Sequence, residues 1–193
     1  CAGADLRREE SESNVPKLEG SDDISLMLRH LYKPVICKIQ GSVLAGALLM
    51  VTNSTHAVAV QKAKFSAPEI LRGLWPHMVM AGLFRVMPKR AGLDFVMRGQ
   101  SIDAKQAKEW GLINEFVRAE ELDDYVNKLS EELASLAPGT MSFGLEAYEK
   151  QDAMAFDEAL PFLQKQIAKT FEGPDAKEGI AAFLEKRKPN WDK

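Results

Sequence analysis

An α/β fold that gives way to helices in its second half is predicted by three features of this 193-residue sequence. Residues 35–39 form a brief, apolar, β-branched run that reads as a buried strand, and Gly41 follows as a turn. The small apolar stretch 45–53 suits a buried helix, and residues 57–60 form a second strand-like run. Strand, glycine turn, helix and strand in that order are the mark of α/β packing. Beyond residue 76 the apolar spacing is mainly helical.

Taken in order, residues 7–23 are charged and hold one proline and one glycine, the composition of a loop, with helix resuming near Ile24. Ile24, Leu26, Met27, Leu28 and Leu31 lie at helical spacing. Lys33-Pro34 stops that helix, because the residue before proline avoids the helical region. Lys64-Phe65-Ser66 is a further short strand. Pro76 suits a helix start, and the apolar stretch to about Val86 reads as a buried helix. Ser101 to Trp110 reads as a helix capped by Ser101 or Asp103 and ended by Gly111. Leu112 to Val117 reads as a strand. Helices follow at about 119–136, 140–150, 155–171 and 174–187, the last ending in a basic turn that complements the helix dipole.

The composition is 46% hydrophobic, enough for a real core, and the net charge of -3 does not suggest a nucleic-acid partner. No apolar run reaches the roughly 18–20 residues that span a bilayer, so a membrane role is not expected. Cys1 and Cys37 fit neither a metal spacing nor a disulfide framework, and they read as thiols of a reducing compartment. His30, His56 and His77 are scattered, so no metal site is expected. The expected location is the cytoplasm of a bacterium.

Three segments can carry chemistry. In Cys1-Ala2-Gly3-Ala4-Asp5-Leu6 the small residues let a backbone amide approach a ligand, or simply make a tight turn. In residues 41–48 Ala45, Gly46 and Ala47 open a helix whose first amides face outward. The same three residues would equally permit close helix packing. Glu69 follows Pro68 in an apolar neighbourhood, where desolvation raises a carboxyl pKa toward that of a general acid/base. The alternative is an ordinary glutamate at a helix start.

The order AGADL, KPVI…G…AGAL, AKFSAPEI…GL, GQSIDAKQAKEWGLINEFV and KEGIAAFLEKRKPNW resembles the crotonase superfamily, the enoyl-CoA hydratase/isomerase family, along essentially the whole chain. The resemblance implies a crotonase-like (ClpP/crotonase) spiral core of β-β-α units with a C-terminal helical trimerisation region. The expected division is 1–118 for the core and 119–193 for the helical region. An N-terminal layer of the family is missing before Cys1, which opens in mid-motif, so further residues are expected there; without them the sheet would carry an unpaired edge. The resemblance further implies that the amides of Ala4 and Gly46 form an oxyanion hole and that Glu69 is the acid/base. Ala2, Gly3, Asp5 and Leu6 would line the acyl-CoA site with Leu49, Leu74 and Trp75, His77 is a newcomer read as structural or pocket-lining, and Phe183 and Lys186 would approach the CoA of a neighbouring subunit. No cofactor is implied, since the coenzyme A thioester is the substrate. A homotrimer or hexamer is expected.

One departure bears on the reaction. Hydratases of the family carry a second glutamate just after the glycine triplet, and here that position is Leu49. Pro76-His77-Met78-Val79-Met80-Ala81 also replaces a later glycine-rich segment of the family. A single carboxylate facing an oxyanion hole, with Leu49, Leu74, Trp75 and Met78 as apolar walls, resembles the enoyl-CoA isomerases. Each wall residue and Phe183 can also be read as plain core. Double-bond isomerisation is therefore slightly favoured over hydration of a 2-enoyl-CoA in fatty-acid β-oxidation. A non-catalytic acyl-CoA-binding subunit is the alternative from another class.

Overall fold

The computed structural model describes residues 1–3 and 23–191, and its organisation starts from the apolar run His56–Val60. This strand, β3, is buried at four of its five residues, as expected of a strand in a parallel sheet covered on both faces. It lies between β1 (Ile36–Ile39) and β6 (Glu115–Val117), parallel to both, with Ile36 opposite His56 and Val58 opposite Glu115. A second three-stranded sheet is made by β2 (Val43–Leu44), β4 (Lys64–Ser66) and β5 (Ile102–Asp103). There β2 and β4 are parallel, with Val43 opposite Phe65 and Leu44 opposite Ser66, and β5 runs antiparallel to β4.

The two sheets are filled alternately along the chain. β1 and β2 are followed by α2 (Leu48–Thr52), and β3 and β4 by α3 (His77–Val86). Each β-β-α unit therefore stacks on the one before it, β3 on β1 and β4 on β2, which is the spiral core the sequence predicts. The stacking buries Leu48, Val51, Val58, Phe65 and Leu83. α3 packs on α2 through Gly82, where an added Cβ would stand 2.4 Å from Thr52 Oγ1. α4 (Lys89–Arg98) and α5 (Ala104–Glu109) complete this part.

The chain divides into two compact units. The first comprises Cys1–Arg29 and Pro34–Lys128, and the second His30–Lys33 and Leu129–Lys193. The boundary falls within α6 (Leu122–Ala134). The second unit is built on α7 (Pro138–Gln151), α8 (Phe156–Glu172) and α9 (Pro174–Leu184), which pack on one another. Asp175 at the start of α9 accepts the Thr140 amide at 2.8 Å, satisfying one of the free donors of α7. The tail folds back over α9. Arg187 pairs with Glu178, and the Trp191 ring lies against Gly179 while its indole donates to the Ser135 carbonyl at 2.9 Å.

Several boundaries differ from the sequence reading for local reasons. The predicted loop falls on residues outside those described as far as residue 22. α1 (Ile24–Arg29) is capped by Asp23, whose carboxylate accepts the amides of Ser25 and Leu26. It ends well before Lys33-Pro34, and Tyr32 stands in the left-handed region at φ +48°. The helix predicted from Ser101 begins at Ala104. Asp103 is its cap, and Ile102–Asp103 is drawn into β5. The strand predicted from Leu112 is confined to β6, because Leu112 still donates to the Ala107 carbonyl at the end of α5. The final helix stops at Leu184, where Lys186 at φ +55° returns its amide to Phe183 and Arg187 returns its own to Ala182. Among the described residues no helix is long and apolar enough to cross a membrane.

Gly82→Ala should destabilise the protein in urea melts. Overpacking against Thr52 costs about 1–3 kcal/mol, more than the roughly 1 kcal/mol of helix propensity that alanine gains. Gly144→Ala in α7, where an added Cβ would meet no described atom within 4 Å beyond its chain neighbours and its own helix backbone, should instead leave stability unchanged or raise it by up to about 1 kcal/mol.

Candidate functional site

Three chain segments reach the same side of the second sheet. Cys1 donates its N-terminal amine to the Ser42 carbonyl at 2.9 Å and accepts the Leu44 amide at 3.0 Å, the bonding pattern of a parallel ladder along β2. β2 in turn pairs with β4, Leu44 opposite Ser66. Adjacent strands lie about 4.8 Å apart, so the chain leaves three neighbouring tracks at Gly3, at Ala45 and at Ala67. The space beyond the carboxyl ends of parallel strands is where open α/β sheets bind ligands.

The middle track turns sharply. Leu44 is extended, Ala45 is left-handed at φ +52°, and Ala45–Ala47 form a single 3₁₀ turn leading into α2. Gly46 is second in this turn, so its amide has no partner within it. An added Cβ on Gly46 would meet nothing among the described residues within 4 Å. Gly3, at φ +83°, packs directly on this turn. A Cβ there would lie 3.0 Å from Ala45 Cβ, 3.1 Å from the Gly46 nitrogen and 3.2 Å from the Leu44 carbonyl oxygen. A larger residue at position 3 would crowd the strand end that presents the Gly46 amide and would be strained at this positive φ. The sequence-predicted Ala4, Asp5 and Leu6 lie outside the described residues, and Ala2 is exposed.

The third track carries Glu69. Pro68–Arg72 form a 3₁₀ turn closed by Gly73 at φ +70°, with the Leu74 amide donating to the Glu69 carbonyl at 3.0 Å and the Gly73 amide to Ile70 at 3.1 Å. Glu69 Oε2 is shut off from solvent and has no hydrogen-bond partner among the described residues. Desolvation pushes its carboxyl above the ordinary glutamate value, while its own backbone amide and the Arg72 guanidinium pull the other way. α4 braces this turn from the side. Gly99, left-handed at φ +58° and ending α4, would place a Cβ 2.9 Å from Ile70 Cγ2, and its carbonyl accepts the Ser66 hydroxyl at 3.1 Å.

The remaining predicted residues are distributed more widely. Leu49 is half-buried on α2. Leu74 is 52% exposed, which removes its reading as plain core. Trp75 is half-buried and its indole donates to Met80 Sδ at 3.0 Å, while His77 is exposed at the first position of α3. Phe183 and Lys186 belong to the second unit. Phe183 is 81% exposed, so its reading as a core residue is corrected, and the helix ends one residue later. Ser66, Arg72 and Gly99 are neighbours of the site that sequence reasoning did not single out, and Ala45 was named only as a small residue opening a helix. Arg72 was findable by its i+3 spacing from Glu69 on a turn. Ser66 was findable as the hydroxyl closing an apolar strand just before Pro68. Nothing in the residue type of Ala45 signals its left-handed backbone.

Residues 1–193 match the family described as enoyl-CoA hydratase/isomerase. The probable mitochondrial enoyl-CoA hydratase of Dictyostelium discoideum is 30% identical over 194 residues, spanning 99% of this chain and 70% of that protein. A probable enoyl-CoA hydratase of Bacillus subtilis is 31% identical over 205 residues, spanning 98% of this chain and 76% of that protein. The crystal structure of an enoyl-CoA hydratase from Mycobacterium smegmatis matches with a TM-score of 0.90 at 28% identity, over 100% of this chain and 77% of that one. With the stacked β-β-α units and the sequence motifs all in agreement with these matches, the chain belongs to the enoyl-CoA hydratase/isomerase family of the crotonase superfamily.

Proposed function

We propose that this protein acts on an acyl-CoA thioester, holds the thioester oxygen as an enolate with the amides of Gly46 and Ala4, and moves a proton with Glu69. The observation that carries this reading is the pairing of Leu44 with Ser66, which sends the Gly46 turn and the Glu69 turn off adjacent strand ends. One turn offers an amide with no partner within it, and the other a desolvated carboxylate oxygen unpartnered among the described residues. A donor aimed at developing negative charge is typically worth about 3–4 kcal/mol of barrier lowering. A carboxyl raised toward neutrality serves as both base and acid.

Double-bond isomerisation is the favoured reaction, because Leu49 stands where a second glutamate would orient water. Glu69 carboxylate removes a proton from carbon 2 of a 3-enoyl thioester. The C–H electron pair becomes the enolate, whose charge rests on the oxygen. Carbon 4 then takes the proton back from Glu69, and the double bond settles between carbons 2 and 3. The partly exposed Leu74 and half-buried Leu49 and Trp75 supply apolar walls, and His77, exposed at the start of α3, lines the pocket. Hydration of a 2-enoyl-CoA is the second reading, favoured by the names of the relatives. The helical region 119–193 serves trimerisation, with Phe183 and Lys186 reaching the CoA of a neighbouring subunit. The exposed apolar row Leu160, Ile167 and Phe171 along α8 supports such an assembly.

The test follows the ultraviolet absorbance of the conjugated thioester. A rise with 3-enoyl-CoA marks isomerisation, and a fall with 2-enoyl-CoA marks hydration. Glu69→Gln should lower kcat by about 10²–10⁴-fold, and unchanged turnover would remove Glu69 as the base. Because the ionised form is the base, kcat/KM should fall with decreasing pH around a midpoint above the ordinary 4.5 of glutamate. Arg72→Gln removes a cation that draws this value down, so its acid limb should move to higher pH.

A further inference from the structure

We infer that Ser66 is a positioning residue for Glu69, acting through a clamp formed with Gly99 at the end of α4. The inference rests on the reading of Glu69 as the acid/base. Ser66 is 5% exposed and closes β4 three residues before Glu69, so its side chain cannot serve solvent. Its hydroxyl is spent on the Gly99 carbonyl at 3.1 Å. That carbonyl lies just past the last turn of α4, where backbone acceptors lack intrahelical donors, and Gly99 is itself buried.

The same glycine touches the Glu69 turn on its far side. Its left-handed backbone, at φ +58°, brings its α-carbon face onto the turn. A Cβ there would stand 2.9 Å from Ile70 Cγ2, 3.1 Å from Leu71 Cγ and 3.4 Å from the Ala67 carbonyl oxygen. The glycine that caps α4 therefore meets the chain at 66–67 and again at 70–71, with Glu69 between. A buried alanine would fill position 66 as well as serine on size alone. What the hydroxyl adds is a directional bond that fixes the roll of the turn, and with it the aim of the carboxylate. A misplacement of about 1 Å at a reacting group can cost on the order of 10²-fold in rate.

The test compares Ser66→Ala, Ser66→Thr and Glu69→Gln in the full chain, reading kcat and KM with 3-enoyl-CoA and 2-enoyl-CoA, the pH profile, and the Glu69 carboxyl titration by ¹³C NMR. Ser66→Ala should lower kcat roughly 10- to 100-fold with KM within about twofold. Its acid limb and NMR titration should move toward the ordinary glutamate value as water reaches the loosened carboxylate. Ser66→Thr, which keeps the hydroxyl, should restore both. Should Ser66→Ala not fold, Ser66→Cys, a weak donor of similar size, takes its place in the same comparison. Wild-type kcat and an unmoved titration in the variant, even with a lowered melting temperature, would overturn the clamp and leave Ser66 a structural residue. An inactive Glu69→Gln beside an unaffected Ser66→Ala would sink the clamp alone. An active Glu69→Gln would sink the assignment of the base, and the carboxyl titration, which needs no substrate, would still decide whether Ser66 positions Glu69.

Discussion

The register that sets Leu44 opposite Ser66 is the constraint on which the site depends, because a parallel ladder tolerates no partial slip. Moving β4 by one residue along β2 would turn Phe65, wholly buried, to the other face of the sheet and would carry the Glu69 turn away from the Gly46 turn. The register is held from both sides. Cys1 extends the ladder beyond β2, and β5 closes it beyond β4. The first sheet repeats the arrangement one layer away, with β1 on β3, so the spiral sets the separation of the two turns at one inter-strand spacing.

Around that register the site collects features that a fold built for stability alone would avoid. A buried carboxylate oxygen without a partner among the described residues costs free energy, as does a left-handed alanine. Both occur on turns leaving adjacent strand ends. Gly3 is favoured for a complementary reason, since a side chain on its left-handed backbone would be strained and would press within 3.1 Å of the Gly46 nitrogen. Local departures from good packing practice are thus gathered on neighbouring turns of the second sheet, where the proposed proton transfer would take place.

The helical unit departs in a different way. α7, α8 and α9 bury Ala147, Ala159 and Ala182, yet Leu160, Ile167, Phe171 and Phe183 stay exposed. Capping and the return of Trp191 over Gly179 hold these helices together without covering those faces. This pattern suits surfaces that another protein surface covers.

The α/β order, the strands at β1, β3 and β4 and the four C-terminal helices were legible in the sequence, because short β-branched runs and helical apolar spacing are local signals. The family was legible as well, since its motifs are runs of adjacent residues in a set order. Element ends were less so. Ile102 and Asp103 became strand only because β4 lay beside them, and α1 stopped short of Pro34. Glu69 could be singled out by type and motif, but the seclusion of its Oε2 from solvent could not. Nor could the left-handed Ala45, the approach of Gly3 to the Gly46 nitrogen, or the bond between Ser66 and Gly99, residues 33 apart. Residue type and local spacing determined which elements form and which side chains can carry chemistry. Which of those groups meet, and how dry their surroundings are, depends on contacts between distant parts of the chain, and only the tertiary structure decided them.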